Sequence, residues 1–284
     1  MFAPSSLKLV VFDLDGTIYE ETHHFDYYAE RIAEKLPDVQ AQRFWQDYRD
    51  SLEGKHTLKI GRAYDALNDR IIAHRRLTPQ AVWNWEGATL DRDVWHDDYS
   101  PSLDPRRQNI VLIGDQWWLP ATVAIHYGIS KEKLGQAFLE TRAFMQSDAF
   151  HMRPIPGLRD WIVTLKKEGA HVALMTNSPE EDSRAIIDKL GLTELFDTMI
   201  FLAEKPLRTE AHLKRLLQIS GAAPEEGLSV GDNWQNDIAP AGAIGMKTLL
   251  IDSHGLAEPG DADLVYPSLS SALKTMLNVS SERA

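Results

Sequence analysis

The stretch KLVVFDLDGTIYE, residues 8–20, decides the fold because a buried strand in it runs directly into two carboxylates. Its apolar run, Leu9–Phe12, is typical of a strand buried on both faces of a parallel sheet. Asp13 and Asp15 follow at once, and an ionised carboxylate beside a dry interior is costly unless a cation accompanies it. The stretch therefore predicts a charged site at the end of the first strand.

Length and composition exclude several classes of function. At 284 residues the chain is long enough for a main domain and a smaller one. It has no cysteine, which excludes thiolate catalysis and cysteine-ligated zinc and is compatible with the cytoplasm. The net charge of −12 argues against binding the phosphates of nucleic acids. The N-terminus lacks a signal-peptide pattern, and no apolar run approaches the roughly 18 residues of a membrane span, so we expect a cytoplasmic protein without membrane segments.

From about residue 150 onward, strand and helix patterns alternate. Residues 157–169 place apolar side chains at helical spacing and end on glycine, and HVALMTNSP (171–179) has the pattern of a strand entering a loop. Further strands are predicted in FDTMIFLAEKP (196–206), ending near Lys205, in GLSVGDNWQND (227–237) and in KTLLID (247–252), with helices between them. This alternation predicts an α/β fold, a Rossmann-like parallel sheet with helices on both faces.

The segment between the first strand and this alternation has a different texture. Residues 21–149 are rich in aromatic side chains and helical in pattern; GRAYDALNDRIIAHRRL (61–77), for example, is predicted to be a helix. We therefore predict a core domain formed by residues 1–20 and 150–284, and a mainly helical cap domain, residues 21–149, inserted after the first strand.

Polar residues stand at the ends of four predicted strands. Because the carboxyl ends of parallel strands lie along one edge of a sheet, where ligands bind, we expect these residues to lie close together. A cluster of carboxylates without cysteine or a nearby histidine pair favours a hard cation, and Mg²⁺ is usual where water and phosphate oxygens complete the ligand set. The residues are Asp13 and Asp15, Thr176 and Asn177, Lys205, and Asp232 and Asp237.

Four short motifs resemble, in order and spacing, the signature motifs of the haloacid dehalogenase superfamily of hydrolases. They are DLDGT (13–17), the hydroxyl residue Thr176 in MTNSP, EKP (204–206) and GDNWQND (231–237). One such motif would be weak evidence, because Asp-x-Asp-Gly also occurs in calcium loops. Four such motifs in the right order, each at a predicted strand end, are strong evidence for the resemblance to this superfamily. The inserted segment resembles the family only in its location, as a cap after the first motif.

The resemblance implies a role for each matched residue. Asp13 would be the nucleophile that forms an aspartyl-phosphate. Asp15 would protonate the leaving oxygen and later deprotonate the attacking water. Thr176, together with the backbone N–H groups of the loop at Asn177, would hold phosphate oxygens, and Lys205 would offset the negative charge of nucleophile and phosphate.

The resemblance also implies a magnesium site. Asp13, the main-chain carbonyl of Asp15 and the carboxylate of Asp232 would bind the ion. Asp237 would act indirectly, by orienting a metal-bound water or Lys205. An alternative for Asp237 is that it caps the helix that follows.

Asp15 separates the branches of this superfamily. Dehalogenases and phosphonate-cleaving members lack an acid two positions after the nucleophile, so the resemblance implies a phosphatase that hydrolyses a small-molecule phosphate monoester. A sugar-phosphate mutase on the same core is the alternative, and a non-catalytic regulatory or binding protein is a third possibility. A second Gly-Asp, in IVLIGDQWWLP (110–120), is a decoy, because Pro120 stands five residues beyond Asp115 where the last motif has its second acid.

Overall fold

The computed structural model describes residues 3–281, which belong to two compact units. We call them the core unit, Met1–Glu21 with Gln146–Ala284, and the inserted unit, Thr22–Met145. No helix among the described residues combines the length and the apolar character needed to cross a membrane.

The described residues contain ten strands and ten α-helices. The strands are β1 (Leu9–Phe12), β2 (Arg62–Asp65), β3 (Arg70–Arg75), β4 (Thr78–Asn84), β5 (Ile110–Leu112), β6 (His171–Met175), β7 (Thr198–Ile200), β8 (Gly227–Gly231), β9 (Lys247–Ile251) and β10 (Leu264–Tyr266). The helices are α1 (His24–Ala33), α2 (Asp38–Leu52), α3 (Arg92–Tyr99), α4 (Trp118–His126), α5 (Lys131–Gln146), α6 (Leu158–Lys167), α7 (Glu180–Lys189), α8 (Thr209–Ser220), α9 (Ala239–Ala243) and α10 (Leu269–Ser281).

The core unit is built on a six-stranded parallel sheet of order β10-β9-β8-β1-β6-β7. The side chains of central strand β1 are at most 1% exposed. On one face of the sheet Leu9 and Val11 belong to a cluster with residues of α8, and on the other Phe12 contacts the ring of Trp161 on α6, with ring centroids 5.5 Å apart. The predicted α/β fold, a parallel sheet covered by helices on both faces, is confirmed.

The strand order places a topological switch point between β1 and β8. From β1 the chain proceeds to β6 and β7 on one side of the sheet, and then crosses to β8, β9 and β10 on the other. Neighbouring strands whose connections run in opposite directions leave a crevice at their carboxyl ends. Asp13 directly follows β1 and Asp232 directly follows β8, so both residues flank this crevice.

Strand β7 is shorter than the sequence predicts. It ends at Ile200, and residues 201–204 form a loop that leads to Lys205. Main-chain N–H groups of this loop donate to the carbonyl oxygens of Thr176 and Ser178, at 3.0 and 3.1 Å. Two non-glycine residues of the loop have positive φ values of 47° and 53°, which an extended strand excludes. The chain therefore stays beside the residues that follow β6 without remaining a strand.

The inserted unit combines helices α1–α4 and most of α5 with an antiparallel sheet of order β4-β3-β2-β5. The predicted helix over residues 61–77 is wrong, because these residues form β2 and β3. The buried carboxylate of Asp65 accepts the N–H groups of Leu67 and Asn68, at 3.0 and 3.4 Å, and so turns the chain at the end of β2. The alanines, leucines and arginines of this segment favour a helix, but the turn chemistry decides its structure.

Candidate active site

Asp13 lies at the carboxyl edge of the sheet, directly after its central strand. Its main-chain N–H donates to the carbonyl of Val230 on β8, at 2.9 Å, which extends the hydrogen-bond ladder one residue beyond β1. The residue is only 9% exposed. A carboxylate at this depth requires a nearby cation or a bound proton.

The cation is Lys205. Its Nζ lies 2.6 Å from Asp13 Oδ1 and 2.6 Å from Asp237 Oδ1, and it donates to the carbonyl of Met175 at 3.0 Å. The three protons of the ammonium group thus have three acceptors, and the side chain is 2% exposed. Lys205 is therefore a fixed positive charge at the end of the central strand.

Asp237 reaches Lys205 from a π-helical turn, Trp234–Ile238, which follows β8. Its Oδ2 accepts the main-chain N–H of Asn233, at 3.3 Å. Gly231 leaves room for this carboxylate, since a β-carbon on Gly231 would lie 2.5 Å from Asp237 Cγ. Single π-helical turns are frequent at functional sites, and this one turns Asp237 back toward the strand end.

Asp232 closely approaches the loop after β1 because that loop has a glycine at the point of contact. Gly16 has a φ of 75°, and a β-carbon there would collide with Asp232 Oδ2. Carboxylate oxygens of Asp13, Asp232 and Asp237 lie within 4.8 Å of one another. A donor set made only of carboxylate oxygens fits a hard cation such as Mg²⁺.

Thr176 directly follows β6 and is 1% exposed. Its Oγ1 accepts the main-chain N–H of Ser178 at 3.0 Å, which tightens the turn after the strand. Within residues 3–281 no group accepts the proton of the Thr176 hydroxyl, so the hydroxyl can donate to a ligand oxygen.

The side chain of Asn177 is bound to the main chain of Lys205. Asn177 Oδ1 accepts the Lys205 N–H at 2.7 Å, and Asn177 Nδ2 donates to the Lys205 carbonyl at 3.0 Å. The sequence places Asn177 near a bound phosphate but gives no sign of this pairing. Because the side chain is engaged with Lys205, only the main-chain N–H of Asn177 is left for the predicted phosphate contact.

Both carboxylate oxygens of Asp15 accept hydrogen bonds from hydroxyl groups. Tyr19 OH donates to Asp15 Oδ1 at 2.6 Å, and Ser178 Oγ donates to Asp15 Oδ2 at 2.7 Å. Sequence reasoning missed both donors. The spacing of four residues between Asp15 and Tyr19 is the only signal in the sequence that could have suggested the first, and nothing local suggests the second.

Burial and negative neighbours raise the pKa of Asp13. Desolvation raises it most, Lys205 lowers it, and the charges of Asp237 and Asp15 raise it again, to about 7. Desolvation disfavours the charged form of Lys205, but the carboxylates of Asp13 and Asp237 outweigh it and raise the pKa of the ammonium. Lys205 stays protonated, and carboxylates outnumber cations at this site, so it is suited to bind a divalent cation.

Asp115, the acid of the decoy Gly-Asp, is not part of this site. Asp115 belongs to the inserted unit, between β5 and α4, and is not a member of the carboxylate cluster found among the described residues.

Comparison with known proteins agrees with the motif resemblance. A family model described as haloacid dehalogenase-like hydrolase matches residues 7–245. A phosphoglycolate phosphatase of Mesorhizobium japonicum is 35% identical over 106 residues, which cover 35% of this chain and 44% of that protein. A phosphoglycolate phosphatase of Aquifex aeolicus is 30% identical over 128 residues, which cover 43% of this chain and 59% of that protein. The chain thus spans about half the length of these curated relatives.

A solved structure shares the fold over nearly the whole chain. It is a HAD-hydrolase of Bacillus subtilis bound to magnesium, with a TM-score of 0.52 and 15% sequence identity. The match covers 96% of this chain and 99% of that one. At this identity the match shows the fold alone.

Substitution of Asp13 by asparagine should change how stability depends on pH in the metal-free protein. The pKa of Asp13 is about 7 in the native state, above the value of 3.8 for the unfolded chain. Between pH 4 and 7 the Asp13 carboxyl therefore carries a proton in the native state that it lacks in the unfolded state. The free energy of unfolding should therefore fall as pH rises through this window, by at most about 1.4 kcal/mol per pH unit. The pKa of Asp237 is raised as well, so Asp13→Asn should show a smaller fall than the unmodified chain. Denaturation of both chains in chelator between pH 4 and 8 measures it, and parallel profiles would contradict the assigned pKa.

Removal of the Asn177 side chain should loosen the main chain at Lys205. Two hydrogen bonds are lost in Asn177→Ala, each worth about 1 kcal/mol, so amide hydrogen exchange across residues 202–205 should accelerate roughly 30-fold. Exchange mass spectrometry of that segment measures this. Asn236→Ala, which removes an amide from the π-helical turn, serves as the control. Equal exchange in both variants would show that the Asn177 side chain does not hold the loop.

Proposed function

Because the chain belongs to the haloacid dehalogenase-like hydrolase family, we propose that it is a Mg²⁺-dependent phosphatase that hydrolyses a small-molecule phosphate monoester through an aspartyl-phosphate on Asp13. The observation that carries the proposal is the buried Lys205 ammonium, 2.6 Å from Asp13, beside the carboxylate of Asp232 at the switch point of the sheet. Phosphoryl transfer requires this combination of a positioned nucleophile and fixed charge.

In the first step, an oxygen of Asp13 attacks the phosphorus atom as the bond from phosphorus to the leaving oxygen breaks. Asp15 gives its proton to that oxygen, which departs as the alcohol. Lys205 holds Asp13 Oδ1 and leaves Oδ2 as the better-placed nucleophile. The Thr176 hydroxyl and the main-chain N–H groups of its loop bind the other phosphate oxygens.

In the second step, a water molecule attacks the phosphorus atom of the aspartyl-phosphate. Asp15, now ionised, takes a proton from that water, and the bond between phosphorus and Asp13 breaks to release inorganic phosphate. Lys205 stabilises the Asp13 carboxylate as it leaves. Each aspartate thus returns to its starting protonation state.

The carboxylates present fit Mg²⁺. Asp13 and Asp232 would bind the ion directly, with the main-chain carbonyl of Asp15. The oxygens of Asp237 are already engaged with Lys205 and Asn233, so Asp237 would act through them or through a metal-bound water. When bound, Mg²⁺ supplies positive charge that offsets the charge of the phosphate.

The two phosphatase relatives favour a small substrate. Both are phosphoglycolate phosphatases, and both match this chain at 30% identity or more over part of their length. We therefore propose a phosphorylated small organic acid or sugar as the substrate class, with phosphoglycolate as the first compound to test.

Hydrolysis should require Mg²⁺ and the Asp13 carboxylate. With phosphoglycolate, sugar phosphates and nucleotides as substrates, the unmodified chain should release inorganic phosphate in Mg²⁺ and stop in EDTA, because too little positive charge would remain to offset the phosphate. Asp13→Asn should fall to background while circular dichroism shows an intact fold. Full activity in EDTA would overturn the metal assignment, and full activity of Asp13→Asn would overturn the mechanism. An isomerised product in place of phosphate would favour the mutase alternative.

Asp15→Asn should separate substrates by their leaving groups. The value of kcat/KM reports the steps up to departure of the leaving group, so it should fall by about 100-fold or more for alkyl phosphates, which need a proton donor. It should fall much less for p-nitrophenyl phosphate, and phosphoenzyme should accumulate because water lacks its base. Equal losses on both substrates without trapped phosphoenzyme would show that Asp15 is not the acid and base.

A further inference from the structure

We propose that Tyr19 and Ser178 are positioning residues, which hold the carboxyl group of Asp15 in place for proton transfer. The inference rests on the proposed phosphatase function and assigns roles to two residues outside the matched motif positions. Its basis is the pair of hydrogen bonds from Tyr19 OH to Asp15 Oδ1, at 2.6 Å, and from Ser178 Oγ to Asp15 Oδ2, at 2.7 Å.

The two donors come from different parts of the sheet edge. Tyr19 belongs to the same loop as Asp15, after β1, whereas Ser178 belongs to the loop after β6, 163 residues away in sequence. The carboxyl group is therefore held at both oxygens by two separate segments. An aspartate side chain has two rotatable bonds, and one hydrogen bond at each oxygen is enough to fix both.

Both donors are themselves rigid. Tyr19 is 0% exposed, so its ring is fully buried. Ser178 is 6% exposed. Its main-chain N–H donates to Thr176 Oγ1 at 3.0 Å, and its main-chain carbonyl accepts the N–H of Leu202 at 3.1 Å. A misplacement of about 1 Å can cost roughly 100-fold in rate, so rigid supports for a proton carrier have a large effect.

Hydroxyl groups suit this task better than N–H donors do. A hydroxyl can donate to a carboxylate or accept from a carboxylic acid by rotating its own proton, whereas an amide or guanidinium N–H can only donate. Tyr19 and Ser178 can therefore keep the same heavy-atom positions when Asp15 carries the proton and after it has given the proton to the leaving oxygen. A purely structural anchor would have no need of this property.

The test compares Tyr19→Phe, Ser178→Ala and the double variant with matched controls. Ser183→Ala removes a buried hydroxyl from α7 that has no hydrogen-bond partner among the described residues, and Tyr266→Phe removes a partly exposed phenol from β10. The readout is kcat/KM for an accepted alkyl phosphate and for p-nitrophenyl phosphate, measured for each chain and again in the Asp15→Asn background.

Positioning of Asp15 predicts a loss that depends on the leaving group. Tyr19→Phe and Ser178→Ala should each lower kcat/KM for the alkyl phosphate about tenfold or more and for p-nitrophenyl phosphate less than about threefold. The controls should leave both values unchanged. In the Asp15→Asn background the same two substitutions should have no further effect, because the group through which they act is gone.

Three outcomes would overturn the inference alone, and a fourth would remove the proposed function as well. Equal losses on both substrates, or undiminished losses in the Asp15→Asn background, would show that Tyr19 and Ser178 act on something other than Asp15. Normal activity of both variants would show that Asp15 needs no support. Absence of Mg²⁺-dependent hydrolysis by the unmodified chain would remove the proposed function and this inference with it.

Discussion

The buried contact between the Lys205 ammonium and the carboxylates of Asp13 and Asp237 is the interaction on which the rest of the site depends. Two carboxylates and one ammonium at this depth are stable only if their geometry and hydrogen bonds are nearly complete. The Lys205 ammonium has three acceptors. The main chain of Lys205 is held by the Asn177 side chain. Negative charge is left in excess, and this excess makes the crevice suited to a divalent cation.

The sheet and two glycines bring these groups together. The parallel order places the ends of β1, β6 and β8 side by side, so residues distant in sequence meet at one edge. Gly16 and Gly231 then allow a closeness that any side chain would prevent, the first for Asp232 and the second for Asp237. Each carboxylate is positioned by the backbone opposite it, and the resulting arrangement can stabilise charge without rearranging during the reaction.

The sequence was a good guide wherever a strand ended directly on a polar residue. Asp13, Thr176 and Asp232 could be placed on the sheet edge because the apolar runs before them are short and buried. Lys205 was harder to place, since its strand ends at Ile200 and hydrogen bonds to the loop after β6 carry the chain onward. Side-chain contacts between loops, such as those of Ser178 with Asp15, leave no periodic trace in a sequence. The helix wrongly predicted over residues 61–77 has the same cause, because one buried carboxylate, Asp65, turns the chain there against its helical composition.

The central claim is that Asp13 becomes covalently phosphorylated, and acid-quench trapping tests it most directly. The unmodified chain is mixed with radiolabelled phosphate ester and Mg²⁺, quenched in acid within one turnover and digested, and the labelled peptide is identified by mass spectrometry. The account predicts an acid-stable, base-labile label on the peptide that contains Asp13, formed and lost at rates compatible with turnover. Turnover without any label on that peptide, with water attacking the substrate directly, would contradict it.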